Sequence, residues 1–201
     1  MLAVPAPARL GAVARLAGMS DLDGATAPET TTVAWLFPDW PQYGGRIVAA
    51  VRDLSAEQLG LRAGPDHAPI WGLAAHLAGA RAYWLCGVLR EPGAEATPFP
   101  DPASGIGWED DETQPRSGAE LAWALESTWS VVASCLARWT PSMLAEPLAL
   151  TFGEVVRYHS RGSILNRLIS HDAYHAGEIS QVLGVNGLPA IDLWTRDRSK
   201  P

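Results

Sequence analysis

Apolar residues in this chain recur mostly at intervals of three and four, the spacing of one face of an α-helix, in four stretches separated by turn-forming residues. The first follows Pro38, Asp39 and Pro41 and carries Tyr43, Ile47, Val48, Val51 and Leu54. Ser55 followed by Gln58 is a capping-box pattern, so a short helical turn is expected through Leu61, before Gly64 and Pro65 break it. The second long helix is expected over residues 69–90, ended by Pro92 and Gly93. A Pro-rich, acidic connection follows over 94–115. A second capping box, Ser117 with Glu120, then opens a third helix that carries Leu121, Leu125, Val132 and Leu136 to about Trp139. The fourth opens at Gly162 and Ser163 and stops near Gly184, with Gly187 and Pro189 beyond. Between the third and fourth, Leu150, Phe152, Val155, Val156 and Tyr158 surround a Gly153-Glu154 turn with the spacing of a short β-ribbon.

Four long amphipathic helices with no internal repeat predict an all-α fold, a four-helix bundle with at least one crossover connection and a short ribbon before the last long helix. At 201 residues the chain suits one domain. The bundle is expected over 33–190, with loosely attached tails at 1–32 and 191–201. Prolines and arginines interrupt the N-terminal apolar stretch, which makes it a poor secretory leader, and Met19 is a plausible alternative start.

Composition narrows the partners. Hydrophobic residues make up 47% and charged residues 18%, as in a folded globular protein. The formal charge of -7 repels phosphate backbones and anionic lipid, so neither nucleic acid nor membrane is an expected partner, and a small molecule is. The most apolar stretch, 70–89, contains His76 and Arg81, which favours a core helix over a membrane span. Cys86 and Cys135 lie in apolar helical stretches outside any C-x-x-C motif and read as buried small hydrophobes, in keeping with a reducing, cytoplasmic setting.

The histidines carry the candidate chemistry. On a wheel of 100° per residue, His175 lies about 40° from His171 and Glu178 about 20° to the other side, on the face that carries Ile164, Leu168, Ile179 and Val182. Two imidazoles one turn apart can converge on a single ion. His76 shares its own wheel position with Leu73, Ala80, Tyr83 and Gly87, another inward-looking set. His76, His171 and His175 are therefore the expected ligands of one divalent metal, with a coordination position left open for chemistry.

The stretches WGLAAHLAGARAYW and LNRLISHDAYHAGEI resemble the DinB-like superfamily, whose motif is a histidine in the second helix and H-x-x-x-H-x-G-[QE]-[IL] in the fourth. Here these are His76 and His171, His175, Gly177, Glu178 and Ile179, and the resemblance spans residues 35–189. It implies an up-down-down-up bundle, a three-histidine site for zinc or nickel, and a homodimer. The superfamily includes thiol S-transferases and the metal-binding domain of mycothiol-dependent maleylpyruvate isomerase, so the implied reaction is transfer of a low-molecular-weight thiol, of the mycothiol or bacillithiol type, to an electrophile. Glu178 stands where many members have Gln, and no thiol pocket can be matched residue by residue.

Other residues have more than one reading. Glu178 is a candidate base, or a partner that orients His175. Arg167, one turn before His171, and Tyr83, on the His76 face, are candidate substrate contacts, Arg167 having an ordinary surface salt bridge as its alternative. His67 and His159 are expected at the surface, the acidic run of Glu109, Asp110, Asp111 and Glu112 as a solvated loop, and the tryptophans mostly as core or pocket wall. Two alternatives to thiol transfer remain: a metal-dependent hydrolase with Glu178 as base, and a non-catalytic, metal-stabilised binding protein.

Overall fold

The computed structural model describes residues 31–192. Four long helices, α1 (Trp40–Arg52), α3 (Ile70–Ala82), α4 (Gly118–Arg138) and α6 (Arg161–Val185), form the up-down-down-up bundle, with short helices α2 (Ala56–Leu59) and α5 (Pro141–Ala145) between them. α4 packs against α1 and α3, α3 packs against α6, and α6 closes the ring on α1. The starts of these helices follow from local chemistry. Ser55 with Gln58 and Ser117 with Glu120 form the expected capping boxes. α6 begins slightly earlier than Gly162, because Ser160 and Ser163 make a box of their own that captures Arg161. Thr140 caps α5, a helix without an apolar stripe long enough to announce itself in sequence.

The second long helix departs from its expected course. Regular α-helix ends at Ala82 and the chain continues as a π-helical segment, Tyr83–Val88, before leaving the helix. The connection then folds onto this segment. A Cβ at Gly87 would meet the backbone oxygen of Pro102 at 2.7 Å, so the absence of a side chain there lets the 3₁₀ turn Pro102–Ser104 seat on the helix. Further 3₁₀ turns at Ala94–Ala96 and Trp108–Asp110 order the rest of the connection, which is far from a featureless solvated loop.

The apolar core forms two clusters. One includes Ile47, Ala78, Ala82, Leu125, Ala176 and Ile179, the other Trp40, Leu85, Val131, Val132, Ile164 and Leu168. At the level between them the helices carry Arg81, Thr128 and Asp172, all buried. Arg81 Nη2 donates to Asp172 Oδ2 at 2.7 Å, Trp40 Nε1 donates to the same oxygen at 2.9 Å, and Arg81 Nη1 donates to the Leu125 carbonyl at 3.2 Å. This polar layer ties α1, α3, α4 and α6 together next to His171.

The ribbon is present as β1 (Leu148–Phe152) paired antiparallel with β2 (Val155–His159), with Leu148 opposite His159. It leads directly into the Ser160 cap of α6. Among the tryptophans, Trp40, Trp71 and Trp139 are buried, while Trp35 and Trp123 are exposed, contrary to a general core role, and Trp194 lies outside the described residues. The expected tails also lie outside them, except at their inner ends. Val33, the first residue of the expected bundle, donates from its backbone N to the Trp139 carbonyl at 2.9 Å, and Ile191 N donates to Ser180 Oγ at 2.9 Å, which fastens the first residue of the expected C-terminal tail to α6. Among the described residues, no helix is long and apolar enough to cross a membrane.

Candidate metal centre

The three histidines singled out by helical spacing converge. His76 comes from the middle of α3, His171 and His175 from successive turns of α6, and one ring nitrogen of each lies within 4.8 Å of the other two. His76 Nε2 and His171 Nε2 are 3.0 Å apart. The ring centroids of His171 and His175 are separated by 4.4 Å and those of His76 and His175 by 5.1 Å. The cluster is less enclosed than its apolar wheel positions suggest. The His175 side chain is 15% exposed but that of His76 is 43% exposed, because it borders an open cleft.

Two carboxylates fix the tautomers. Glu109 Oε1 lies 2.7 Å from His76 Nδ1, and Glu178 Oε2 lies 2.6 Å from His175 Nδ1. A carboxylate only accepts, so each Nδ1 carries the proton and each Nε2 is left with its lone pair for a ligand role. His171 has no such partner: its Nδ1 is buried without a hydrogen bond. Burial, reinforced by the neighbouring His175 and His76, lowers its pKa to about 4, so it is neutral at pH 7. The hydrogen bond to Glu109 acts in the opposite direction on His76 and raises its pKa above the usual imidazole value.

These residues suit a divalent cation. If His171 carries its proton on Nδ1, the Nε2 lone pairs of His76 and His171 face one another at 3.0 Å, a repulsive arrangement that a shared cation turns into two bonds. The surrounding set of two imidazoles oriented by carboxylates and one held neutral by burial is the donor chemistry that zinc, nickel and related ions accept.

Glu109 is the residue that sequence reasoning missed. It belongs to the acidic run expected to be a solvated loop, and Glu112 of that run does pair with Arg62 at the surface. Glu109 instead turns back onto His76. Gly107 makes this possible, since a Cβ there would run into the Glu109 carboxylate, and the turn is anchored by Trp108, which packs on Phe99 at 5.5 Å with the Arg116 guanidinium 4.4 Å from its ring. Three acidic neighbours hid the one that matters; the available signal was the Gly-x-Glu spacing at 107–109.

A cavity of about 480 Å³ opens beside His76 and His171, walled by Tyr83, Trp84, Phe99 and Ile106. Both candidate substrate contacts, Tyr83 and Arg167, line it. Arg167 has no carboxylate partner among the described residues; its guanidinium lies 4.9 Å from the Trp84 ring. Glu178 faces elsewhere, bordering a separate depression of about 490 Å³ together with His175, Tyr174 and His67. His67 is exposed as expected, whereas His159 is half-buried with its ring 5.7 Å from Trp84. Cys86 and Cys135 are buried free thiols, neither among the residues lining the cavity.

Comparison with known proteins accords with this geometry. No curated protein matches the chain in sequence. Among solved structures, a DinB-like protein from Bacillus cereus ATCC 10987 shares the fold, with a TM-score of 0.60 and 19% identity over 80% of this chain and 97% of that one. The profile of the DinB superfamily matches residues 44–179, a span that contains all three histidines and well over half of the 201 residues, and the chain belongs to that superfamily.

Proposed function

We propose that the protein is a metal-dependent enzyme that transfers a low-molecular-weight thiol to an electrophilic small molecule. The observation that carries this reading is the convergence of His76, His171 and His175, the first two bordering a cavity with aromatic walls, with Glu109 and Glu178 holding two of the rings in the ligand tautomer. His76, His171 and His175 would hold a divalent ion such as zinc or nickel, which would supply Lewis acidity to make a small thiol more acidic. The chain's own contribution is preorganisation. His171 stays unprotonated through the physiological range, the two carboxylates fix ring orientation, and Tyr83, Trp84 and Phe99 supply aromatic wall beside the histidines. The thiol proton would be released to solvent, which reaches the half-exposed His76 side of the site.

The arrangement favours thiol transfer over hydrolysis. A hydrolase built on Glu178 as base needs that carboxylate beside the cavity. Glu178 is bonded to His175 and borders the other depression, while Glu109, the one acidic residue on the cavity wall among those described, is bonded to His76.

The test is to load the purified protein with zinc or nickel and follow conjugation of cysteine, glutathione, mycothiol and bacillithiol to a chromogenic electrophile. At least one thiol is expected to react in a metal-dependent way, with loss of rate in His171→Ala and none in His67→Ala. Cleavage of a model ester or amide with no thiol conjugation would replace this reading by the hydrolase. Silence in both assays with metal bound would leave the non-catalytic binding protein.

A further inference from the structure

The chain is acidic, and six of the ten arginines among the described residues pair with carboxylates. Arg52 pairs with Glu126, Arg62 with Glu112, Arg81 with Asp172, Arg116 with Glu120, Arg138 with Glu91 and Arg161 with Glu146. Arg167 is treated differently. Among the described residues it is the one lysine or arginine lining the cavity beside His76 and His171, it has no carboxylate partner, and its guanidinium is held against the Trp84 ring. A guanidinium stacked on an aromatic face keeps its in-plane N–H groups available, and those groups match the two oxygens of a carboxylate. The other charge on the cavity wall, Glu109, is already committed to His76.

Position makes this cation a recognition element for the site. Arg167 lies four residues before His171 on α6, one helical turn or roughly 6 Å along the axis, and both border the same cavity. The wall between them is aromatic and apolar, from Trp84 and Tyr83, with Gly79 and Ala80 leaving space.

We propose that Arg167 is the anchor for a carboxylate, and that the electrophilic substrate is a small organic acid whose reactive carbon sits about one helical turn from its carboxylate. The proposal rests on the reading above for where the chemistry occurs, but the anion site itself is testable without any reaction. Tyr83 and Trp84 then hold the carbon chain, and Arg167 sets which end of the molecule faces the histidines.

Calorimetric titration of the metal-loaded protein with pentanoate and with pentanamide separates the charge from the chain. The acid is expected to bind at least tenfold more tightly than the amide, to lose that advantage in Arg167→Gln, and to keep it in His171→Ala. Recovery of part of the affinity in Arg167→Lys would match a charge-based anchor. Circular dichroism confirms that each variant is folded, which the exposed position of Arg167 favours. Equal binding of acid and amide, or no binding of either, overturns the proposal. So does loss of acid binding in His171→Ala with Arg167→Gln unaffected, because the carboxylate would then be held by the metal. Inorganic phosphate displacing pentanoate at lower concentration than pentanoate itself requires would overturn the assignment to carboxylates. Arg167-dependent pentanoate binding without any thiol conjugation would keep this site and remove the transferase reading; conjugation unaffected by Arg167→Gln with no pentanoate binding would do the reverse.

Discussion

Arg81 and Asp172 form an ion pair of 2.7 Å across the interface of α3 and α6, with side chains only 1% and 6% exposed, next to His171 of the candidate metal site. A buried pair is strongly destabilising when one partner is removed, since the remaining charge has neither water nor counter-ion. Asp172→Ala is expected to cost about 3–5 kcal/mol in chemical denaturation. Asp172→Asn should cost less, because an acceptor for Trp40 Nε1 is retained. Replacing both members by apolar residues, as in Arg81→Met with Asp172→Leu, should recover much of the loss. A cost below about 1 kcal/mol for Asp172→Ala would mean that Arg81 escapes to solvent and that the pair is a surface interaction in effect.

The carboxylate on His76 makes a second prediction. Carboxylates that orient metal-binding imidazoles typically contribute about 10- to 100-fold in metal affinity. Glu109→Ala should weaken zinc or nickel binding by that amount. Gly107→Ala should do nearly the same without touching a charged residue, because the new methyl displaces the Glu109 carboxylate. Competition with a chromophoric chelator measures both. Unchanged affinity in Gly107→Ala with a large loss in Glu109→Ala would show that the loop accommodates the methyl and that the contact at 107 is soft.

The histidine cluster was legible because helical spacing alone places His171 and His175 on one apolar face, and the bundle then brings His76 opposite them. The capping boxes were legible for a similar reason, as each is a local pattern of four residues. Glu109 was not, since its contact with His76 crosses 33 positions and depends on how the 3₁₀ turn Trp108–Asp110 folds against Phe99. The Arg81–Asp172 pair was hidden likewise. Arg81 reads as a charge that disqualifies a membrane span, and nothing local reveals that its partner lies 91 positions away. The π-helical turn at Tyr83–Val88 has no propensity signature, and the connection that seats on it at Gly87 is a tertiary contact.

The cysteines make a prediction about the source of the thiol. Burial pushes the Cys86 thiol up to about 11 and the Cys135 thiol up to about 12, so neither is a thiolate near neutral pH. Both should resist alkylation by iodoacetamide in the folded, metal-loaded protein and react on unfolding. Cys86→Ala should leave metal-dependent conjugation intact, provided the repacked core remains folded. Rapid native-state alkylation accompanied by loss of rate would instead make one of these thiols the nucleophile.

The pH dependence of metal binding tests the opposing environments of His76 and His171. Metal and proton compete for the Nε2 lone pair, so affinity is greatest where the imidazoles are neutral. His76 has its pKa raised, chiefly by the Glu109 hydrogen bond, so affinity should begin to fall at a pH above the ordinary imidazole value of 6.5. His171, lowered to about 4, should add a second proton to the competition only in that lower range. Stability of the metal-free fold follows with signs worked from the same shifts. The His76 contribution is present below pH 6.5 and is lost as pH rises through its folded value. The His171 contribution is present above pH 6.5 and is lost as pH falls from there toward about 4, where the unfolded chain takes up its proton first. Glu109→Gln separates the two roles of that carboxylate. Removing the charge lowers the His76 pKa, so the acid loss of metal should move to lower pH, while affinity at pH 8 should be weaker than in the parent chain. Calorimetric or chelator-competition titrations across pH 5–8 would reveal the shift. An acid profile identical to that of the parent chain would show that Glu109 does not hold the proton on His76, and the orienting role assigned to it would fall with that result.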